Sequence, residues 1–141
     1  MAIKQISVFL ENKPGMLDAM TKVLADAGIT LRALSLAETK DFGIVRMIVD
    51  DVYETATVLK EHDYISSMTP EVAVMVPDVV GGLHKVLTAL TREQVNLEYM
   101  YSTLAGGGSG NAYMILRVED TKKAEEALRA ANFTLIEEFP D

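Results

Sequence analysis

Residues 8–31 read VFLENKPGMLDAMTKVLADAGITL, and residues 74–97 read VMVPDVVGGLHKVLTALTREQVNL. At an offset of 66, Val8 meets Val74, Gly15 meets Gly81, Leu17 meets Leu83, Leu24 meets Leu90 and Leu31 meets Leu97, with Val95 opposite Ile29. Beyond the run Gly106-Gly107-Gly108-Ser109-Gly110 the offset becomes 69: Val49 meets Val118, Asp51 meets Asp120, Leu59 meets Leu128 and Tyr64 meets Phe133. A three-residue change in a glycine-rich loop costs little. Matches that recur in order at positions of the same structural role mark an internal repeat.

Each copy yields one element order. In copy one, Ile3 to Leu10 is apolar and β-prone, a strand. Asn12-Lys13-Pro14-Gly15 is a turn that opens a helix, since Asn is a good N-cap and Pro fits a first turn. Leu17, Met20, Leu24 and Ala27 form one helical stripe, and Gly28 supplies a C-cap. Residues 29–36 and 43–49 read as strands, residues 52–62 as a second helix, and a last strand starts near Tyr64. In copy two, residues 72–76, 97–103, 113–118 and 135–139 read as strands. Leu83, Val86, Leu87 and Leu90 mark its first helix, and Ala124, Ala127, Leu128 and Ala131 its second. The expected fold is α+β, two βαββαβ units over residues 1–69 and 70–141. The junction, residues 66–70, is too short for a flexible linker. The units are therefore expected side by side as one extended antiparallel sheet with helices on one face.

Composition excludes several function classes. Hydrophobic content of 49% and charged content of 24% suit a packed soluble domain and argue against disorder. A net charge of −8 disfavours nucleic acid and anionic lipid, and the absence of cysteine removes disulfides and thiolate chemistry. No apolar run approaches the roughly 18 residues needed to cross a bilayer, and the start has no signal-peptide core. A cytoplasmic protein without membrane or nucleic-acid partners is expected.

The stretch Phe9-Leu10-Glu11-Asn12-Lys13-Pro14-Gly15-Met16-Leu17, followed by a helix and Ala27-Gly28-Ile29, resembles the start of an ACT domain. Residues 41–50, DFGIVRMIVD, resemble that family's third strand. The resemblance covers nearly the whole chain, more strongly in copy one, and is similar to stand-alone tandem ACT proteins. It implies ferredoxin-like units, a regulatory role without catalysis, and an amino-acid ligand held between paired domains. It also implies a homodimer. The alternative is a free-standing regulatory subunit of an amino-acid biosynthetic enzyme, arranged like the small subunit of acetolactate synthase, with that enzyme as partner.

A zwitterionic amino acid needs donors for its carboxylate and acceptors for its ammonium. The helix start offers N–H groups at Gly15, Met16 and Leu17 and the positive dipole end. Gly15 permits close approach to the backbone, and Asn12 carries both a donor and an acceptor. The plainer reading is that Asn12 caps the helix and Pro14-Gly15 shapes the turn. In the serine-sensing branch of the family the ligand is also held by a Gly-Val-Asn-Ile stretch of the neighbouring domain, which Gln94-Val95-Asn96-Leu97 resembles. The ligand set implied is Asn12, Pro14, Gly15, Met16 and Leu17 with Asn96 and Leu97. Asn96 reads equally well as a turn residue before a strand. That branch often has a histidine where this chain has Leu10, so serine is not implied as the ligand. In copy two the loop is Asp78-Val79-Val80-Gly81-Gly82. Asp78 opposes a carboxylate, so a second site from Thr30, Leu31, Asp78 and Gly81 is expected to be degenerate.

No other constellation competes. His62 and His84 stand apart with no metal-ligand spacing around them, so no metal or cofactor is expected. The glycine run lacks the Lys-Ser/Thr of a phosphate loop and precedes a strand, which fits a hairpin. Tyr99, Tyr101 and Tyr113 alternate on strands and fit sheet packing better than a pocket. Glu125-Glu126 and Glu137-Glu138 read as solvated surface. With no nucleophile–base set, the chain is expected not to be an enzyme.

Overall fold

In the computed structural model of the chain, residues 3–104 and 110–139 are described. They form two compact units, Lys4–Thr69 and the described residues from Pro70 onward together with Ile3. The hairpin expected at the glycine run lies, apart from Gly110, outside the described residues.

Alternate side chains of the first unit's strands face its core. In β1, Ile3–Glu11, the core side chains are Ile6, Val8 and Leu10; on the opposite face Gln5 and Ser7 are buried too, whereas Phe9 and Glu11 are exposed. In β3, Phe42–Val49, the same face carries Val45, Met47 and Val49. β1 runs antiparallel to β3, with Val8 opposite Val45, and β2, Leu31–Glu38, runs antiparallel along the other side of β3. Helix α1, Met16–Asp26, adds Met20 and Leu24 to this face, and α2, Val52–Glu61, adds Leu59. Each such side chain, fully buried, contributes roughly 1.5–3 kcal/mol. The backbone N–H of Phe9 donates to Ile65 O at 3.2 Å, where the chain returns beside β1.

The second unit repeats the pattern. Strand β4, Ser66–Pro77, presents Val72, Val74 and Val76 to a core completed by Val86 and Leu90 of α3, Gly82–Arg92, and Ala124 and Leu128 of α4, Thr121–Ala130. β6, Asn111–Val118, pairs antiparallel with β4 on one side and with β5, Leu97–Ser102, on the other. The boundary between the units falls within β4, so the expected junction at residues 66–70 is strand. The last strand expected, at residues 135–139, is reduced to a bridge. Leu135 faces Val74, and backbone bonds join Met75 N to Thr134 O and Ile136 N to Ala73 O. Beyond it Glu137 and Glu138 are exposed.

Backbone detail follows the two sequence offsets. Left-handed residues stand at Gly15 and Gly81, at Gly28 and Gln94, and at Asp63 and Asn132. The ladders of β2 and β5 slip at the same place, between Leu31 and Ala33 and between Leu97 and Tyr99. All four helices end in one motif, in which the residue after the left-handed one donates five residues back: Ile29 to Leu24, Tyr64 to Leu59, Val95 to Leu90 and Phe133 to Leu128. Asp51 and Asp120 cap α2 and α4, accepting from Glu54 N at 2.9 Å and Lys123 N at 3.1 Å.

Candidate functional site

The loop between β1 and α1 is fixed by its backbone. Asn12 N donates to Asp41 O at 3.0 Å, Lys13 N to Glu11 O at 2.9 Å, and Gly15 takes φ +85° as the residue before the helix. Gly15 has no side chain with which to cap α1, and Asn12 does not cap it either. The Asn12 amide reaches across to the β2–β3 turn, where Nδ2 donates to Glu38 Oε2 at 3.2 Å and to Thr39 O at 3.3 Å. This corrects the capping role expected for Asn12. A Cβ built on Gly15 would meet no atom within 4 Å, so the glycine answers the turn's conformation and not a crowded neighbour.

Beside this loop lies a cavity of about 340 Å³. Leu10, Met16, Leu17 and Leu36 give it apolar walls, and Glu11, Asn12, Lys13 and Glu38 a polar rim. The strand register explains where it forms. Leu10 of β1 and Glu38 of β2 both stand opposite Gly43 of β3, so the middle position of this three-strand row has no side chain. On the rim Lys13 Nζ lies 2.6 Å from Glu11 Oε2. The hydrogen bond to Glu11, and then the carboxylate's charge, raise the Lys13 pKa above the ordinary lysine value.

Of the residues singled out from the sequence, Asn12, Met16 and Leu17 line this cavity; Pro14 and Gly15 shape the loop without lining it. Asn96 lines a separate, more open cavity of about 510 Å³ in the second unit, with Gln94, Glu119, Asp120 and Lys123. The Leu97 side chain does not line that cavity and packs against its unit's core. Glu11 and Lys13 stand in the linear motif without being singled out, and Leu36, Glu38 and Gly43 lie outside it. Only the hairpin register brings β2 and β3 to the loop.

Copy two keeps the backbone of this loop and changes its side chains. Asp78 N donates to Gly110 O at 2.8 Å and Val79 N to Pro77 O at 2.9 Å, and Gly81 has φ +81°. The loop and its surroundings expose Val79, Val80, Leu83 and Leu104. In the row equivalent to Leu10–Gly43, Val76 stands opposite Ala112. Here Gly82 is sterically required, because a Cβ on it would lie 2.2 Å from Pro77 O.

The remaining candidates have local structural partners. His62 Nδ1 lies 2.9 Å from Val58 O, and His84 Nε2 lies 3.5 Å from Thr88 Oγ1. Among the described residues no group of three or more His, Cys, Asp or Glu side chains is placed to hold a metal ion. Tyr99 donates to Glu71 Oε1 at 2.6 Å and stacks on Tyr101, and Tyr101 and Tyr113 are buried. Among the described residues no helix is long and apolar enough to cross a membrane.

Residues 1–139 match the family described as the ACT domain pair. The chain belongs to that family. No curated protein matches the sequence of this ACT pair. Among solved structures, a protein from Bacteroides thetaiotaomicron is 40% identical, with 96% of this chain and 92% of that chain covered and a TM-score of 0.89. The regulatory subunit of aspartate kinase from Thermus thermophilus, in its ligand-free form, is 17% identical over 93% of each chain, with a TM-score of 0.67. The corresponding subunit from Thermus flavus is 16% identical, with a TM-score of 0.66 and 94% and 92% covered. At such identities the Thermus subunits share the fold of this ACT pair.

Proposed function

We propose that this ACT pair is a non-catalytic regulatory protein that binds a small amino acid at the loop cavity of its first unit. The observation that carries this reading is the make-up of that cavity. Four apolar walls suit a side chain, and a rim holding carboxylates, an ammonium and an amide suits a zwitterion. The first N–H groups of α1 have no partner within the helix and add a positive end beside the rim. Asn96 and Leu97 remain part of the proposed ligand set, and their contribution is read separately by Asn96→Ala. In copy two Asn12, Lys13 and Pro14 are replaced by Asp78, Val79 and Val80, so a second equal site is not proposed. The protein is taken to act as a cytoplasmic homodimer.

Thermal-shift screening against the twenty amino acids tests this reading. A ligand that binds only the folded state adds about 2.7 kcal/mol of stability at 100 times its Kd. Silence across the whole panel would reject amino-acid binding.

A second reading is favoured by the family's company. The Thermus structures are regulatory subunits of aspartate kinase, and this chain covers nearly their whole length. A separate regulatory subunit of a biosynthetic enzyme is that reading. Co-purification with one catalytic chain, whose activity then responds to the amino acid, distinguishes it from a sensor that works alone.

A further inference from the structure

Building on the reading of this cavity as an amino-acid site, the geometry points to Glu38 as its charge filter: neutral and basic amino acids are accepted, and dicarboxylic ones are turned away. Three groups on the rim carry charge, Glu11, Lys13 and Glu38. Lys13 is held at 2.6 Å by Glu11, so these two charges largely balance. Glu38 is held differently. It accepts from the neutral Asn12 amide at 3.2 Å, and among the described residues no cation pairs with it. Its carboxylate is therefore positioned without being compensated, beside the side-chain-free position of Gly43. Leu36 Cδ1 leans over Gly43, 3.3 Å from where a Cβ would stand, so an ammonium in the cavity beside it meets Glu38, with Leu10 and Leu36 alongside for apolar atoms. A second carboxylate on the ligand meets the same negative charge and is repelled.

Copy two supplies the contrast. The position matching Glu38 is Leu104, which is exposed, and that matching Gly43 is Ala112. Neither the carboxylate nor the glycine of the row is present there, so the filter belongs to the first unit alone.

Calorimetry at low ionic strength tests the filter, comparing glutamate and aspartate with glutamine, asparagine, leucine and lysine on the whole chain. The tightest neutral or basic ligand is expected to bind about tenfold or more tightly than the better acid. Glu38→Gln should bring this ratio towards one, Glu38→Lys should invert it, and added salt should shrink it in the wild type. A purely steric role for Glu38 would not give that salt dependence. Equal binding of the acids by the wild type, or an unchanged ratio in Glu38→Gln, overturns the filter and leaves amino-acid binding standing. Absence of binding by all six ligands overturns the filter, and with silence across the twenty-amino-acid panel it removes amino-acid binding as well.

Discussion

Gly15 and Gly82 are both tied to helix starts, yet different physics requires each. Around Gly15 a Cβ finds open space, and the cost of a side chain comes only from φ +85°. Gly15→Ala should therefore cost about 1–2 kcal/mol of stability, the usual penalty of a left-handed residue. Gly82→Ala drives a Cβ to 2.2 Å from Pro77 O, so the backbone itself must move and the loss should be clearly larger. Urea denaturation of the two variants gives the comparison; a costlier Gly15→Ala would mean that the loop is held otherwise. At the neighbouring Asn12, loss of the amide removes the bonds that fix Glu38. Asn12→Ala should weaken ligand binding by roughly 0.5–1.5 kcal/mol. Asp78→Ala should leave the first-unit site almost unchanged, and calorimetry that found the reverse would exchange the two loops' roles. Asn12, Met16 and Leu17 were legible in the sequence because they sit in one contiguous motif. Glu38 was not, since it lies 26 residues from Asn12 and meets it only through the β2–β3 register. A local motif contains no information about that register.

At the scale of elements, the repeat offsets make a quantitative claim about α2 and α4. Asp51 and Asp120 occupy matched N-caps with nearly the same φ and ψ. Asp51→Ala and Asp120→Ala should each cost about 1 kcal/mol, as losses of an N-cap do. A cost confined to one of them, by thermal denaturation, would show that the copies differ in how they hold this helix. The core makes the heavier demand: Leu24, 1% exposed between α1 and its sheet, should lose about 2–5 kcal/mol on truncation to Ala. These helices and most strands were legible because burial follows periods of 3.6 and 2, and apolar residues recur at them in both copies. Helix stops were legible only once. Gly28 announces its left-handed conformation, whereas Asp63, Gln94 and Asn132 adopt the same one without a glycine. The continuity of β4 was hidden for the opposite reason. Ser66, Ser67 and Pro70 look like punctuation, and the strand runs through them. The final strand failed because the exposed Glu137 and Glu138 break its apolar residues after Ile136, leaving Phe139 to pack edge-on against Tyr113.

For the molecule as a whole, charge is the property most open to a solution test. The chain holds 21 acidic against 13 basic side chains, a net −8, so eight of its acids are left without a matching cation. Exposed pairs such as Lys22–Asp26 add little to stability. Arg32 and Asp50 differ in geometry. Arg32 Nε donates to Oδ1 at 2.7 Å and Nη2 to Oδ2 at 3.0 Å, a two-point grip tying β2 to the end of β3. Arg32 keeps 17% of its side chain exposed and Asp50 48%, so solvent screens the pair and its worth is modest. The hydrogen bonding from Arg32 lowers the Asp50 pKa most, partial burial opposes it, and the guanidinium charge adds to the lowering. A carboxyl held below its unfolded value of 3.8 contributes its full stability above that pH. The contribution is lost as pH falls through the lower, folded value. Asp50→Asn should therefore be less stable than the wild type at neutral pH, and the gap should close below pH 3.8. Urea midpoints for the two proteins, taken from neutral pH down into that acid window, measure this gap. A gap that stays constant throughout would mean that Asp50 acts by packing and not by its charge.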